Sequence, residues 1–173
     1  DCLYELIGWL SKARQSGEPT TESAEAAFDE IWLRSGPTEH GLACDYRKLA
    51  SRLIATLLKV GAGQRFRDAQ PLALDLPSGR VIVEPDEMLE LPNGAVVLRR
   101  VRTGSKRSDE YDRLDYTLYE LAGRAHFEGR FKIEAVHLSD ETVEVVTITG
   151  TKVENRRITS DSLLSEINAG KFP

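Results

Sequence analysis

The spacing of the apolar residues changes at Gly61-Ala62-Gly63, and this change constrains the fold more than any other feature. Before it, apolar side chains recur every three or four residues, which is the period of an amphipathic helix. Three helices are predicted there, over residues 3–14, about 20–33 and about 40–60. After it, apolar residues alternate with polar ones, which predicts strands.

The second part of the chain predicts one sheet with a helix inserted between its strands. The expected elements are strands over 71–76, 81–91 and 95–101, a helix over 109–127, strands over 131–138 and 142–149, and a short helix over 160–168. Pro92-Asn93-Gly94 is a strong hairpin signal, so the first three strands are expected to form an antiparallel meander, with Pro85 interrupting the second. The predicted class is α+β or mixed α/β, built around one sheet.

Length and composition predict a single domain over residues 1–173, with a helical lead (1–63) and a sheet-containing core (64–173). Hydrophobic residues make up 40% and charged residues 29% of the chain, which excludes disorder and collagen-like structure. No apolar run approaches the roughly 20 residues that span a bilayer, so no membrane partner is expected. The net charge of −5 argues against a dedicated non-specific DNA binder.

Cysteine usage predicts a reducing, cytoplasmic location. Cys2 and Cys44 provide neither a disulfide framework nor a zinc pattern. His40, His126 and His137 show no ligand spacing to a cysteine or to one another, so they are expected to be packed or surface residues. The chain begins without Met and inside a predicted helix, which suggests a piece of a longer protein.

Three short strings in the core stand in an informative order and spacing. The strings are Val83-Glu84-Pro85-Asp86, Leu98-Arg99-Arg100-Val101-Arg102-Thr103-Gly104 and Asp115-Tyr116-Thr117-Leu118-Tyr119. The chain closes on Ile167-Asn168-Ala169-Gly170-Lys171-Phe172-Pro173, and its helical lead carries Trp9, Gly17-Glu18-Pro19 and Trp32. Together these features cover nearly the whole chain.

The strings resemble the core of the PD-(D/E)xK nuclease superfamily. More narrowly, they are similar to the RecB-like nuclease domain attached to superfamily 1 (UvrD/Rep-type) DNA helicases and to AddAB/RecBCD-type recombination enzymes. That domain carries an Asp in a "G-R-I-D" string, then "V-V-D-Y-K-T-G", then "Q-x-x-x-Y" on a helix. The resemblance implies a restriction-endonuclease-like fold, DNA as a partner and a helicase or DNA repair protein as the parent.

Active members of that family hydrolyse phosphodiesters with Mg²⁺, which two carboxylates hold and beside which a Lys positions the attacking water. The positions that correspond to this machinery are Asp86, Arg100, Arg102, Asp115 and Tyr119, with Tyr4 loosely in place of an upstream His. Only Asp86 and Tyr119 keep the family's residue. Arg100 replaces the second carboxylate, Arg102 replaces the Lys and Asp115 replaces the Gln.

This exchange of charge predicts that the metal site is lost. A positive charge about 4 Å from a divalent ion is repelled by roughly 8 kcal/mol at an effective dielectric of about 20, which Asp86 alone could not offset. Arg102 is a poor substitute for Lys because a guanidinium stays protonated and has a different shape. No metal and no catalytic residue are therefore expected. Mg²⁺ is expected only under the alternative that carboxylates have migrated, with Asp86, Glu84 and Glu90 or Asp112 as its ligands.

Five positive charges fall within nine residues: Arg99, Arg100, Arg102, Lys106 and Arg107. One interpretation is a patch that contacts DNA phosphates, through Arg99, Arg102, Lys106 and Arg107. The other is salt bridging to Asp86, Glu84, Asp112 or Asp115. Because Arg100 and Arg102 share a face and Asp86 lies on the neighbouring strand, an ion pair in the former metal site is attractive.

Three functional hypotheses stay open. The first is a catalytically inactive RecB-like domain that docks on helicase motor domains, of the same or a partner chain, or guides DNA weakly through the Arg patch. The second is an active metal-dependent nuclease, and the third is a protein-interaction module. The chain has no Gly-rich phosphate loop, so ATP is expected only in a motor part outside it.

Overall fold

The computed structural model describes residues 2–171, apart from the side chain of Asp112. The helices are α1 (Cys2–Ser16), α2 (Thr21–Ser35), α3 (Ala43–Gly61), α4 (Leu114–Phe127) and α5 (Gly150–Asn168), with a 3₁₀ turn at Glu110–Asp112. The strands are β1 (Phe66–Arg67), β2 (Leu72–Leu76), β3 (Gly79–Val83), β4 (Glu87–Glu90), β5 (Val96–Arg102), β6 (Phe131–His137) and β7 (Thr142–Val146). The fold is mixed α and β. The last two residues of the predicted closing string, Phe172 and Pro173, lie outside the described residues.

The three predicted helices of the lead are confirmed. Their apolar stripes meet in one core, in which Phe28 and Ile54 are fully buried, and this core continues onto Val101 and Val136 of the sheet. The Thr20 hydroxyl caps α2 by accepting a hydrogen bond from the Ser23 amide at 3.2 Å. The third helix begins at Ala43 rather than near residue 40, because a turn precedes it.

A five-stranded mixed sheet runs through the core in the order β1-β4-β5-β6-β7. β5 and β6 are parallel and α4 connects them, whereas the other neighbours are antiparallel. The helical lead covers one face of this sheet, and α4 packs with a second core cluster on the other. Strand β6 therefore joins the sheet, as predicted.

The predicted three-stranded meander is wrong, because the second strand is two strands. β3 pairs only with β2, in a separate two-stranded sheet, and β4 pairs with β5 in the main sheet. The break falls at Pro85, which has no N–H to donate to a ladder. The hairpin at Asn93-Gly94 is confirmed: the Leu91 amide donates to the Ala95 carbonyl at 2.9 Å, and Gly94 takes the positive φ of 77° that favours glycine.

The last helix is longer than predicted. α5 begins at Gly150, and β7 ends at Val146 rather than near residue 149. The first half of α5 is polar and has no apolar stripe, so its period is not visible in the sequence. Tertiary contacts hold the helix instead: Val153 is buried, the Ser78 amide donates to Asp161 at 2.7 Å, and Asn168 donates to the Ser78 carbonyl at 2.7 Å. In the described part of the chain, no helix has the length and apolar character needed to cross a membrane.

Candidate functional site

An ion pair between Asp86 and Arg100 lies at the centre of the site. Asp86 follows Pro85 at the break between β3 and β4, and Arg100 is on β5. The Arg100 Nη1 atom lies 3.1 and 3.2 Å from the two carboxylate oxygens, and the Val101 amide donates to Oδ2 at 2.7 Å. The ion pair expected from the sequence is confirmed.

Burial controls the electrostatics of this pair. Burial, together with the charge of Glu87, raises the pKa of Asp86 above its ordinary value, although Arg100 and the Val101 amide lower it. Burial also raises the pKa of Tyr119, and the neighbouring Asp86 adds to the rise. The Tyr119 hydroxyl therefore stays protonated and donates to the Glu84 carbonyl at 3.0 Å, which ties α4 to the segment that carries Asp86.

Arg102 and Asp115 also come together, as the sequence placed them. Arg102 lies 2.9 Å from Glu110 and 3.7 Å from Asp115. The Tyr116 hydroxyl donates to the same Glu110 oxygen at 3.1 Å. Burial opposes ionisation of Glu110, but the hydrogen bonds from Arg102 and Tyr116 and the charge of Arg102 together outweigh it and lower the pKa of that carboxyl. No sequence pattern marked Glu110, because the 3₁₀ turn that carries it is too short to show a repeated spacing of apolar residues.

A divalent cation does not fit the residues at this position. Both oxygens of Asp86 are already bonded to Arg100, and an ion placed there would lie beside its guanidinium. Among the described side chains, no three His, Cys, Asp or Glu residues group as a metal site. Glu90 lies at the far end of β4 from Asp86, where it pairs with Arg65 at 3.6 Å. The Asp112 side chain is outside the described ones.

Arg99 is not a DNA contact, and its assignment to the phosphate patch is wrong. It is only 1% exposed. Because side chains alternate along a strand, it points to the face opposite Arg100, where the helical lead covers it. There it bonds to Glu134 at 2.7 Å, to Glu87 at 3.3 Å and to Gln64 at 2.9 Å.

Of the exposed cations predicted for the patch, one is held in an ion pair and one is not. Lys106 pairs with Glu144 at 2.5 Å, and its ammonium lies 4.6 Å from the Tyr111 ring centroid. The Arg107 side chain is exposed and has no ion-pair or hydrogen-bond partner among the described residues, whereas its carbonyl accepts from the Glu110 amide at 3.1 Å. Arg113, which no sequence pattern marked, is half-exposed and lies 3.6 Å from Asp115.

Two cavities lie at this site, and Asp86 and Arg100 line one of them. The first, which we call the arginine cleft, measures about 270 Å³ and is lined by Tyr4, Arg102, Thr103, Gly104, Ser105, Arg107, Glu110 and Arg113. The second, which we call the acidic cavity, measures about 380 Å³ and is lined by Tyr4, Ile7, Gly8, Ser11, Lys12, Asp68, Ala69, Pro71, Glu84, Pro85, Asp86 and Arg100. Tyr4, loosely aligned with a family His, therefore does lie beside the site.

The three histidines are surface or packed residues, as expected. The His40 ring accepts from the Leu42 amide at 3.1 Å, and His126 lies 2.8 Å from the Ala73 carbonyl. His137 is fully buried on β6, and neither ring nitrogen has a hydrogen-bond partner among the described residues.

No protein-family model matches the sequence, and a search of curated proteins found no match. The Asp86–Arg100 pair and the two neighbouring cavities therefore define the chemistry of the site.

Proposed function

We propose that this chain is a RecB-like nuclease domain that has lost its metal site, from a DNA helicase or DNA repair protein, and that it guides DNA rather than cutting it. The observation that carries the proposal is the Asp86–Arg100 ion pair. The guanidinium occupies the place where the resemblance requires a second carboxylate, and it uses the oxygens that a metal would need.

The connectivity around the pair supports the proposal. The motif strings fall on a β4–β5 hairpin, on the α4 helix that follows it and on the approach to that hairpin. This placement brings Asp86, Arg100 and Tyr119 into one neighbourhood, which is what the motif order implies for a nuclease-like core. Arg102 also turns to this neighbourhood from β5, but it is held by Glu110.

The first test is metal binding and cleavage. We expect no Mg²⁺- or Mn²⁺-dependent cutting of duplex or single-stranded DNA, and no metal binding in calorimetry, because Arg100 holds the carboxylate. The Asp86→Ala variant is the matched control, since any trace activity from a contaminant survives in it. Metal-dependent cleavage that is present in the wild type and lost in Asp86→Ala would refute the proposal.

The second test is weak, salt-dependent DNA binding. Arg107, Arg113 and the partly exposed Arg102 can meet about two phosphates, so log Kd should change with log salt with a slope of about 2. Arg107→Gln combined with Arg113→Gln should remove most of this slope. The control is Arg65→Gln, a 77%-exposed cation beside β1, which should leave the slope unchanged.

An apolar surface on the helical lead favours a second candidate, a protein-interaction module. Tyr46 and Leu49 are exposed and line one pocket together with Trp32 and Pro37. Exposed apolar patches of this kind are typical of docking sites. If the chain binds no DNA even at low salt, this second function becomes the better account, with motor domains as the proposed partner.

A further inference from the structure

The arginine cleft and the acidic cavity meet at one side chain, and their linings have opposite charge. Tyr4 lines both. The cleft has three arginines against one carboxylate, Glu110. The cavity has three carboxylates, Asp68, Glu84 and Asp86, against Lys12 and Arg100. An anionic group is therefore attracted to the cleft and repelled from the cavity.

The cleft can take a phosphate without a metal. The Arg107 guanidinium has no partner among the described residues, and the Arg113 guanidinium lies 3.6 Å from Asp115, so both can turn to a new anion. Guanidinium groups bind phosphate oxygens in a fork-like geometry that a single ammonium cannot match.

The acidic cavity suits a flat, neutral, hydrogen-bonding group. Its apolar wall comprises Ile7, Ala69, Pro71 and Pro85. The lining also holds the carboxylates of Asp68 and Glu84, which can accept hydrogen bonds from the amino and imino groups of a base. The volume of about 380 Å³ lies in the range of about 300–1,000 Å³ that is usual for small-molecule sites.

The two cavities lie next to each other along β5. Arg100 borders the cavity and Arg102 borders the cleft, and they are two residues apart on the same face of β5. Two strand residues span roughly 6.6 Å, which one sugar can bridge. Tyr4, between them, offers an aromatic ring to the sugar or base.

We propose that the two cavities form one binding site for a single unpaired nucleotide, with its base in the acidic cavity and its phosphate in the arginine cleft. This inference rests on the proposed function and names its ligand as a single strand rather than a duplex. A paired base is held in its stack and could not enter a cavity of this size, whereas an unpaired base can.

The test separates the base from the phosphate. The full chain is titrated by calorimetry or NMR with deoxyadenosine monophosphate, with deoxyribose phosphate and with inorganic phosphate. We expect the nucleotide to bind about tenfold more tightly than deoxyribose phosphate, because enclosure and stacking of a base contribute on that scale. A dT oligonucleotide and a duplex of the same length show whether a strand binds through the same site.

A substitution at Gly8 tests the acidic cavity directly. It lines the acidic cavity on α1, and a Cβ at this position would meet no atom within 4 Å. Gly8→Leu should therefore fill the cavity without straining the helix. It should abolish the preference for the nucleotide while the affinity for deoxyribose phosphate stays unchanged. Gly150→Leu, also unobstructed and at the start of α5, is the matched control for an added leucine. Arg107→Gln should weaken all phosphate-bearing probes together.

The outcomes distinguish this site from the proposed function. Equal binding of the nucleotide and deoxyribose phosphate, or nucleotide binding that Gly8→Leu leaves intact, overturns the base cavity even if DNA still binds with the expected salt slope. A duplex that binds more tightly than the single strand also overturns it. If no phosphate-bearing probe and no DNA binds at low salt, both the nucleotide site and the DNA-guiding role fail, and the docking alternative remains.

Discussion

Glu87 is the residue whose neutralisation should damage the fold most. It lies fully buried on β4, where it accepts hydrogen bonds from Arg14 of α1 and Arg99 of β5. Burial lowers the pKa of Arg14, and Glu87 is the neighbour that most strongly opposes that fall. On the far side, Glu134 pairs with Arg99 at 2.7 Å and with Lys132 at 2.6 Å. Two buried guanidinium groups, those of Arg14 and Arg99, therefore face two carboxylates, those of Glu87 and Glu134.

Glu87→Gln keeps the shape of the side chain and removes its charge, which leaves two buried guanidinium groups facing one buried carboxylate. Breaking a buried ion pair from one side costs about 3–5 kcal/mol. That is a large part of the roughly 5–15 kcal/mol by which a domain is stable. At about 2–4 °C per kcal/mol for a chain of this length, Tm should fall by roughly 6–20 °C.

The assay is urea unfolding followed by circular dichroism, with thermal melts alongside. Glu141→Gln is the control, because it removes a carboxylate that pairs with Lys59 at 3.0 Å on the surface and should cost less than about 1 kcal/mol. Arg14→Met combined with Glu87→Leu should recover much of the loss, since it removes the buried charge together with its partner. A Glu87→Gln variant as stable as the Glu141→Gln control would show that the reasoning is wrong.

Two further predictions concern acid stability and the α4–β6 contact. Burial opposes ionisation of Glu134, but hydrogen bonds from Lys132 and Arg99 outweigh it and hold its folded-state pKa below the ordinary 4.5. Its contribution is therefore present above about pH 4.5 and is lost as pH falls through the lower folded value. Glu134→Gln should flatten the pH dependence of the free energy of unfolding below that pH, and an unchanged profile would contradict the assignment. Gly123→Ala should destabilise the fold by about 1–3 kcal/mol in urea titrations, because its Cβ would lie only 2.3 Å from the Phe131 ring. Helix propensity alone favours alanine over glycine, so a gain in stability would contradict this prediction.

Local patterns account for much of what the sequence predicted. The helices of the lead follow from apolar residues at helical spacing, and their stripes proved to be the core that Phe28 and Ile54 fill. The β4–β5 hairpin follows from Asn93-Gly94, whose turn geometry needs no distant contact. The same hairpin sets the register that puts Asp86 beside Arg100, so this ion pair could be predicted from the sequence alone.

Other features depend on contacts that no local pattern encodes. The first half of α5 has no apolar period, and only its packing and its bonds to the Ser78 turn make it helical. The sequence indicated an interruption at Pro85, but no local pattern indicated that β3 would pair with β2 rather than join the main sheet. The arginine cleft depends on Arg113 and Tyr4, which come from elements more than a hundred residues apart.

The contrast between Arg99 and Arg100 separates what the sequence determines from what only the tertiary structure decides. Alternation along β5 determines that the two side chains point to opposite faces, because the strand period is two. It does not determine which face a helix will cover, since that depends on where α1 and its Arg14 pack across the sheet. Once that face is covered, Arg99 must be paired in the interior while Arg100 holds Asp86 at the open cavity. The local sequence therefore determines which face of a strand each charged side chain occupies. Only the packing of the layers decides which of these side chains remain available to a ligand.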